Sequence, residues 1–181
     1  MRLFIAILFD KDIKDSIYGT IERLQSFALG SFTHKENLHL TVNFIGETKR
    51  LEDVKQAMEQ AVKKVNARGF WLSIGGFGKF KRNEGDIYWI GVKRNETMWK
   101  LQKELVVQLK EEGFFDIDDR EYKPHITLGR RIKIRENVAV RDFEEEIRPL
   151  QIEVKKLSLM KSERKEGKLV YTELCSVKLD D

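Results

Sequence analysis

Two short stretches decide how this chain folds: Glu36-Asn37-Leu38-His39-Leu40-Thr41-Val42-Asn43 and Tyr122-Lys123-Pro124-His125-Ile126-Thr127-Leu128-Gly129-Arg130. In each, apolar residues alternate with polar ones, the period of a half-buried strand in which side chains at i and i+2 share a face. Leu38, Leu40 and Val42 therefore predict a core face, with His39, Thr41 and Asn43 on the other. Pro124, Ile126 and Leu128 repeat that core face, with His125 and Thr127 opposite. A lone histidine in a strand is usually a hydrogen-bonded structural residue, and threonine is simply a good strand former. Two of the three histidines standing in one His-x-Thr pattern argue instead for a shared site.

Outward from these units, strand-like and helix-like periods alternate, which predicts a mixed α/β or α+β fold. Strands are expected at Leu3–Phe9, Leu38–Ile45, Phe70–Phe77, Ile87–Val92, Pro124–Leu128, Ile152–Met160 and Leu169–Val177, the last two as a hairpin turning near Glu166-Gly167. Apolar residues every three or four positions mark helices through Ile13, Ile17, Ile21 and Leu24, through Leu51, Val54, Met58, Ala61 and Val65, and through Met98, Leu101, Leu105 and Leu109. Thr48 and Asn95 stand where the second and third helices need a cap, and Gly113 follows the third as a stop. The second His-x-Thr unit trails the first by close to half of the 181 residues, which suggests a duplication folded as two pseudo-symmetric lobes. The two prolines, Pro124 and Pro149, and the lack of a Gly/Ser-rich linker give no domain boundary, so residues 1–181 are expected to form one bilobal domain.

Composition sets bounds on function. With 41% hydrophobic and 35% charged residues, the chain has the balance of a globular protein, and no apolar run is long enough to span a membrane. The run Leu3–Phe9 is followed at once by Asp10, Lys11 and Asp12, so it reads as a buried strand rather than a leader peptide. A single cysteine, Cys175, excludes an intrachain disulfide and fits a reducing cytoplasm. A net charge of +4 favours an anionic partner only weakly. No P-loop or Gly-rich nucleotide fingerprint is present, so any joining of nucleic acid ends would have to reverse a hydrolytic step rather than consume ATP.

A groove lined by two imidazoles and two hydroxyls holds the parts that phosphodiester hydrolysis needs. One neutral imidazole takes a proton from water while the other, protonated, supplies the leaving oxygen. Both roles suit a group with an ordinary pKa near 6.5. Thr41 and Thr127 are the candidate donors to non-bridging phosphate oxygens, and Arg130 is a candidate positive charge, although strict alternation points it away from Thr127. The residues alone do not tell which histidine is the acid.

These stretches resemble the two-histidine phosphoesterases, and among them the RNA 2′,3′-cyclic phosphodiesterases first named 2′-5′ RNA ligases (LigT-like). The paired tetrapeptides 39–42 and 125–128 carry the likeness, supported by Met1–Ile7, Leu157–Ser162 and Tyr171. The resemblance implies an α+β bilobal fold with a central groove between two pseudo-symmetric, antiparallel-rich sheets flanked by helices. It also implies opening of a terminal 2′,3′-cyclic phosphate to a 2′-phosphate, without metal or cofactor, with His39 as proton donor and His125 as acceptor. RNA with cyclic-phosphate ends is then the expected partner, tRNA fragments and small cyclic nucleotides included, with no membrane and no obligate protein partner. Gly129 and Asn43 depart from the alanine and basic residue frequent in that family.

Two rivals remain. A metal-dependent phosphoesterase draws on His34 and His39, but carboxylates or cysteines with ligand spacing do not accompany them. A non-catalytic RNA-binding module draws on the basic groups Lys79, Lys81 and Arg82, Arg130, Arg131, Lys133 and Arg135, and Lys161, Arg164, Lys165 and Lys168, with Phe44 or Phe80 as stacking faces. Trp71, Trp89 and Trp99 are expected in the core, and His34 in a connection without catalytic duty.

Overall fold

A computed structural model describes residues 1–135, 140–145 and 147–180. The elements run β1 (Arg2–Leu8), α1 (Lys11–Phe27), β2 (Ala28–Phe32), a 3₁₀ turn (Lys35–Asn37), β3 (His39–Glu47), α2 (Leu51–Val65), β4 (Phe70–Phe80), β5 (Asp86–Val92), α3 (Glu96–Glu111), β6 (His125–Ile134), α4 (Val140–Glu145), β7 (Leu150–Val154), β8 (Lys156–Lys165) and β9 (Lys168–Lys178). One sheet has the order β3-β1-β8-β9 and the other β2-β6-β5-β4-β7, and every named pairing is antiparallel. Apart from β2, the second sheet repeats the first: a His-x-Thr strand, its antiparallel neighbour, then two outer strands. This is the α+β, two-sheet architecture expected, with helices packed against the sheets through Ile17, Ile21 and Leu24, Val54 and Met58, and Met98, Leu101 and Leu105.

Local signals explain most boundaries. Asp10 Oδ1 accepts from the Ile13 N–H at 2.9 Å and opens α1, and Asn95 Oδ1 does the same for Met98 in α3. Gly113 ends α3 at φ +84, where a side chain would be strained. Thr48 does not cap α2: Arg50 holds that position, and Thr48 Oγ1 accepts instead from the Arg50 N–H at 3.1 Å, before the first turn. The β8–β9 hairpin turns at Glu166 and Gly167, both at positive φ.

The expected strand over 152–160 is two. β7 ends at Val154 in one sheet and β8 starts at Lys156 in the other, so Lys155 alone carries the chain across. β2 was not expected; its burial is confined to Ala28 and part of Phe32, which hides it from an alternation test.

The alternation of both His-x-Thr strands is interrupted at the same place. In the ladder with β1, Thr41 pairs with Ala6 and Asn43 with Ile5, so Val42 is an extra residue, a one-residue bulge. In the ladder with β5, Thr127 pairs with Trp89 and Gly129 with Tyr88, so Leu128 is the extra one. Residues 39–44 and 125–130 accordingly share one burial sequence: half-buried, buried, half-buried, two buried in succession, then exposed. Asn43 is thus turned to the face of core residue Ile5, contrary to the expected sharing of a face with His39 and Thr41. The same shift brings the fifth residue after each histidine, Phe44 and Arg130, back toward the groove side.

Candidate active site

Each imidazole is fixed by the same contact. His39 Nδ1–H donates to the Asn37 carbonyl at 2.7 Å, and His125 Nδ1–H donates to the Lys123 carbonyl at 2.8 Å, two residues back in both cases. That bond sets the tautomer, so Nε2 is the nitrogen that gains or loses a proton. His39 Nε2 lies 2.9 Å from Thr41 Oγ1, an i to i+2 contact on one strand face, as alternation predicts. Thr127 is half-buried across the ladder from Trp89.

Aromatic rings wall both imidazoles. Phe4 lies 4.9 Å and Tyr171 5.2 Å from His39, ring centre to centre, while Phe80 lies 5.0 Å and Trp89 6.3 Å from His125. Phe4, Ala6 and Met160 form a small apolar cluster under His39, separate from the main core. Trp89 therefore belongs to the groove and not to the core; it lies over Gly78, where any Cβ would sit 2.2 Å from its ring. Trp71 is also not a core residue, being 59% exposed, whereas Trp99 packs on the core and on Tyr122.

Burial pushes both histidine pKa values below their ordinary range. For His39 the positive charges of Lys14, Arg130 and His125 add to the effect, against the Asn37 carbonyl, which favours the imidazolium. For His125 burial comes first and Arg130 adds to it, against the Lys123 carbonyl. Arg130 also favours the charged form of Tyr171 against the raising effect of burial. Its guanidinium thus acts on His39, His125 and Tyr171 together, which strict alternation would not have placed within reach. Lys14, from α1, carried no motif in the sequence; its Nζ donates to the Glu36 carbonyl at 2.9 Å.

Reciprocal bonds tie the segments around the two motifs. The Tyr122 hydroxyl, ahead of β6, donates to the Thr41 carbonyl at 2.9 Å, and the Thr33 hydroxyl, ahead of β3, donates to the Thr127 carbonyl at 2.8 Å. A cleft of about 390 Å³ opens beside His125 and Thr41, lined also by Phe44, Phe80, Arg82 and Tyr122. A smaller depression of about 180 Å³ lies by His39, Lys14 and Tyr171.

The three basic groups differ. Lys161 and Lys165 of the hairpin group share one carboxylate, Glu163, and Lys79 pairs with Asp86 at 2.8 Å. Arg82 lies 6.0 Å from the Phe80 ring at the cleft. His34 is exposed at the start of the 3₁₀ turn. Among the described residues no three His, Cys, Asp or Glu side chains are grouped to hold a metal ion, and no helix is long and apolar enough to cross a membrane.

An RNA 2′,3′-cyclic phosphodiesterase of Thermotoga maritima is 33% identical over 133 residues, 72% of this chain and 70% of the relative. One from Archaeoglobus fulgidus is 32% identical over 145 residues, 79% and 78% of the two chains. The crystal structure of Escherichia coli LigT complexed with 3′-AMP superposes with a TM-score of 0.77 at 27% identity, covering 99% of this chain and 98% of that one. Residues 13–166, which include both histidine strands, match the 2′-5′ RNA ligase superfamily, and with two antiparallel sheets presenting the paired His-x-Thr units in the same frame, the chain belongs to that superfamily.

Proposed function

We propose that this protein opens RNA 2′,3′-cyclic phosphate ends to 2′-phosphomonoesters by metal-independent acid–base catalysis, with residues 1–181 working as one bilobal domain. The observation that carries the proposal is the duplicated imidazole: both histidines donate from Nδ1 to the carbonyl two residues back and keep Nε2 for proton transfer. His125 Nε2 accepts a proton from water as its oxygen attacks phosphorus. The bond from phosphorus to O3′ breaks, and His39 Nε2 delivers its proton to O3′. The product keeps the phosphate on O2′, and a later proton exchange resets the pair.

Burial and Arg130 hold both imidazoles toward neutrality. A phosphodiester anion supplies the opposite charge, which favours protonation of His39 and readies it as the acid. Once Nε2 of His39 is the donor, the Thr41 hydroxyl is released to donate to a phosphate oxygen, with Thr127 and Arg130 holding the others. An RNA 5′-hydroxyl in place of water gives 2′-5′ joining by the same steps. Cyclic-ended tRNA fragments and small cyclic nucleotides both carry the required group. A half-buried thiol at Cys175, pushed up in pKa by burial, is compatible with work in a reducing cytoplasm.

The test is to incubate an oligonucleotide ending in a cyclic phosphate with the protein in excess chelator and to map the product end. A 2′-phosphate formed at undiminished rate is expected. A 3′-phosphate product would refute the assigned regiochemistry, and loss of activity restored by a divalent ion would favour the metal-dependent rival.

A further inference from the structure

The two recesses beside the paired histidines are unequal, and the acid–base mechanism gives them different sides of the reacting phosphorus. Displacement at phosphorus runs in line, so the attacking oxygen enters opposite the oxygen that leaves. With His125 taking the proton of the entering oxygen, the larger cleft beside His125 and Phe80 lies on the entering side. The smaller depression of about 180 Å³, lined by His39, Lys14 and Tyr171, lies on the side of the leaving O3′.

The connectivity of ribose then gives the groove a direction. O3′ sits on the sugar carbon bonded to C4′, and C4′ carries C5′ and the phosphodiester that joins the terminal nucleotide to the rest of the strand. O2′ is one carbon farther from that linkage. The strand therefore departs on the O3′ side, and the first anion it presents there is this phosphodiester. Lys14 stands in its way. The Lys14 Nζ donates to the Glu36 carbonyl at 2.9 Å, which holds this α1 side chain beside the segment leading into β3, and its charge acts on His39. Neighbouring carboxylates are engaged by other groups: Asp15 by Lys11 and Lys35, and Glu173, in the same depression, by Lys156 Nζ at 2.7 Å and Ser158 Oγ at 2.6 Å. An ammonium has three donors, so Lys14 can keep the Glu36 carbonyl and still donate to a phosphate oxygen.

We propose that the depression beside His39 receives the phosphodiester immediately 5′ of the terminal nucleotide, bound by Lys14 Nζ, so that the strand runs away from the site past His39 and not past His125. The proposal rests on the cyclic-phosphate reading of the two histidines and on the roles assigned to them. It makes Lys14 the residue that distinguishes a strand end from a cyclic mononucleotide.

Two dinucleotides ending in uridine 2′,3′-cyclic phosphate, one with an ordinary phosphodiester linkage and one with an uncharged methylphosphonate, provide the test. A kcat/KM ratio of about ten in favour of the charged linkage is expected, the low end for a hydrogen bond between charged groups. Lys14→Gln should bring that ratio to within about twofold, and Lys14→Arg should restore most of it. Lys14 also acts on His39 and tethers α1, but loss of either effect changes both rates alike and leaves the ratio in place. Equal rates on the two linkages in the unmodified protein, or a ratio that survives Lys14→Gln, overturns the site. A ratio abolished instead by Arg82→Gln overturns it by placing the strand on the His125 side. Binding of the same two dinucleotides ending in a 2′-phosphate, followed by tryptophan fluorescence, requires no turnover. Linkage-selective binding that depends on Lys14, with no hydrolysis of either cyclic end, would sink the cyclic-phosphate reading and leave the Lys14 site standing; hydrolysis without linkage selectivity would do the reverse.

Discussion

At the scale of single residues the proposed mechanism gives each of the two imidazoles one task. His39→Ala and His125→Ala should each lower hydrolysis of a cyclic-phosphate end by at least about a hundredfold, the usual worth of a positioned acid or base, with circular dichroism unchanged. A variant retaining more than about a tenth of the rate would contradict paired catalysis. Because the folded pKa of both histidines is lowered, the bell-shaped profile of kcat/KM should be centred below about pH 6.5, the value of an unperturbed imidazole. Arg130→Gln removes a charge that disfavours both imidazolium forms, so it should move that bell toward higher pH while raising KM. A bell that stays in place would remove Arg130 from the groove. The His-x-Thr geometry was legible in the sequence because an i to i+2 pair on a strand needs no tertiary information. Lys14 and Tyr122 were not, since their positions come from a helix and a connection that only folding brings to the motif strands.

The elements show where that legibility stops. Alternation holds from His39 to Thr41 and from His125 to Thr127, and then fails at Val42 and Leu128. A bulge formed by ordinary apolar residues has no compositional mark, so Asn43 and Arg130 were assigned to the wrong faces by simple counting. The run Ile152–Met160 likewise gave no sign that it serves two sheets, because its apolar residues satisfy two cores in succession. Glycine is more informative once its neighbours are known. Gly78→Ala would press on the Trp89 ring, and Trp89 stands beside His125. That variant should lower kcat/KM at least tenfold, because displacement of about an ångström at a catalytic group can cost up to a hundredfold. It should also lower the melting temperature, and Gly46→Ala, whose added Cβ meets nothing within 4 Å, provides a comparison for backbone strain alone.

For the whole molecule, the matched hydroxyl–carbonyl bonds at Tyr122 and Thr33 connect the approaches to the two motifs. Tyr122→Phe and Thr33→Val should each cost about 1 kcal/mol in chemical denaturation, the net value of one such bond; no change in either would show that the two bonds contribute nothing to holding the motif strands. The groove is flanked by Arg82 and Arg130, while Lys161 and Lys165 of the hairpin share Glu163. Added salt should therefore weaken action on an oligonucleotide more steeply than on a cyclic mononucleotide, as backbone contacts release counterions. Parallel salt slopes would mean that the flanking charges do not meet the RNA strand. The crossing at Lys155 has a further consequence in time. All five strands of the sheet that holds His125 lie between residues 28 and 154, but β1, the first strand made, acquires its second neighbour only when β8 follows. During synthesis the His125 sheet can close first, while Leu3–Ile7 waits with an open apolar edge. The cradle of His39 is completed last, so a chain truncated before β8 would hold His125 in a finished sheet but not His39.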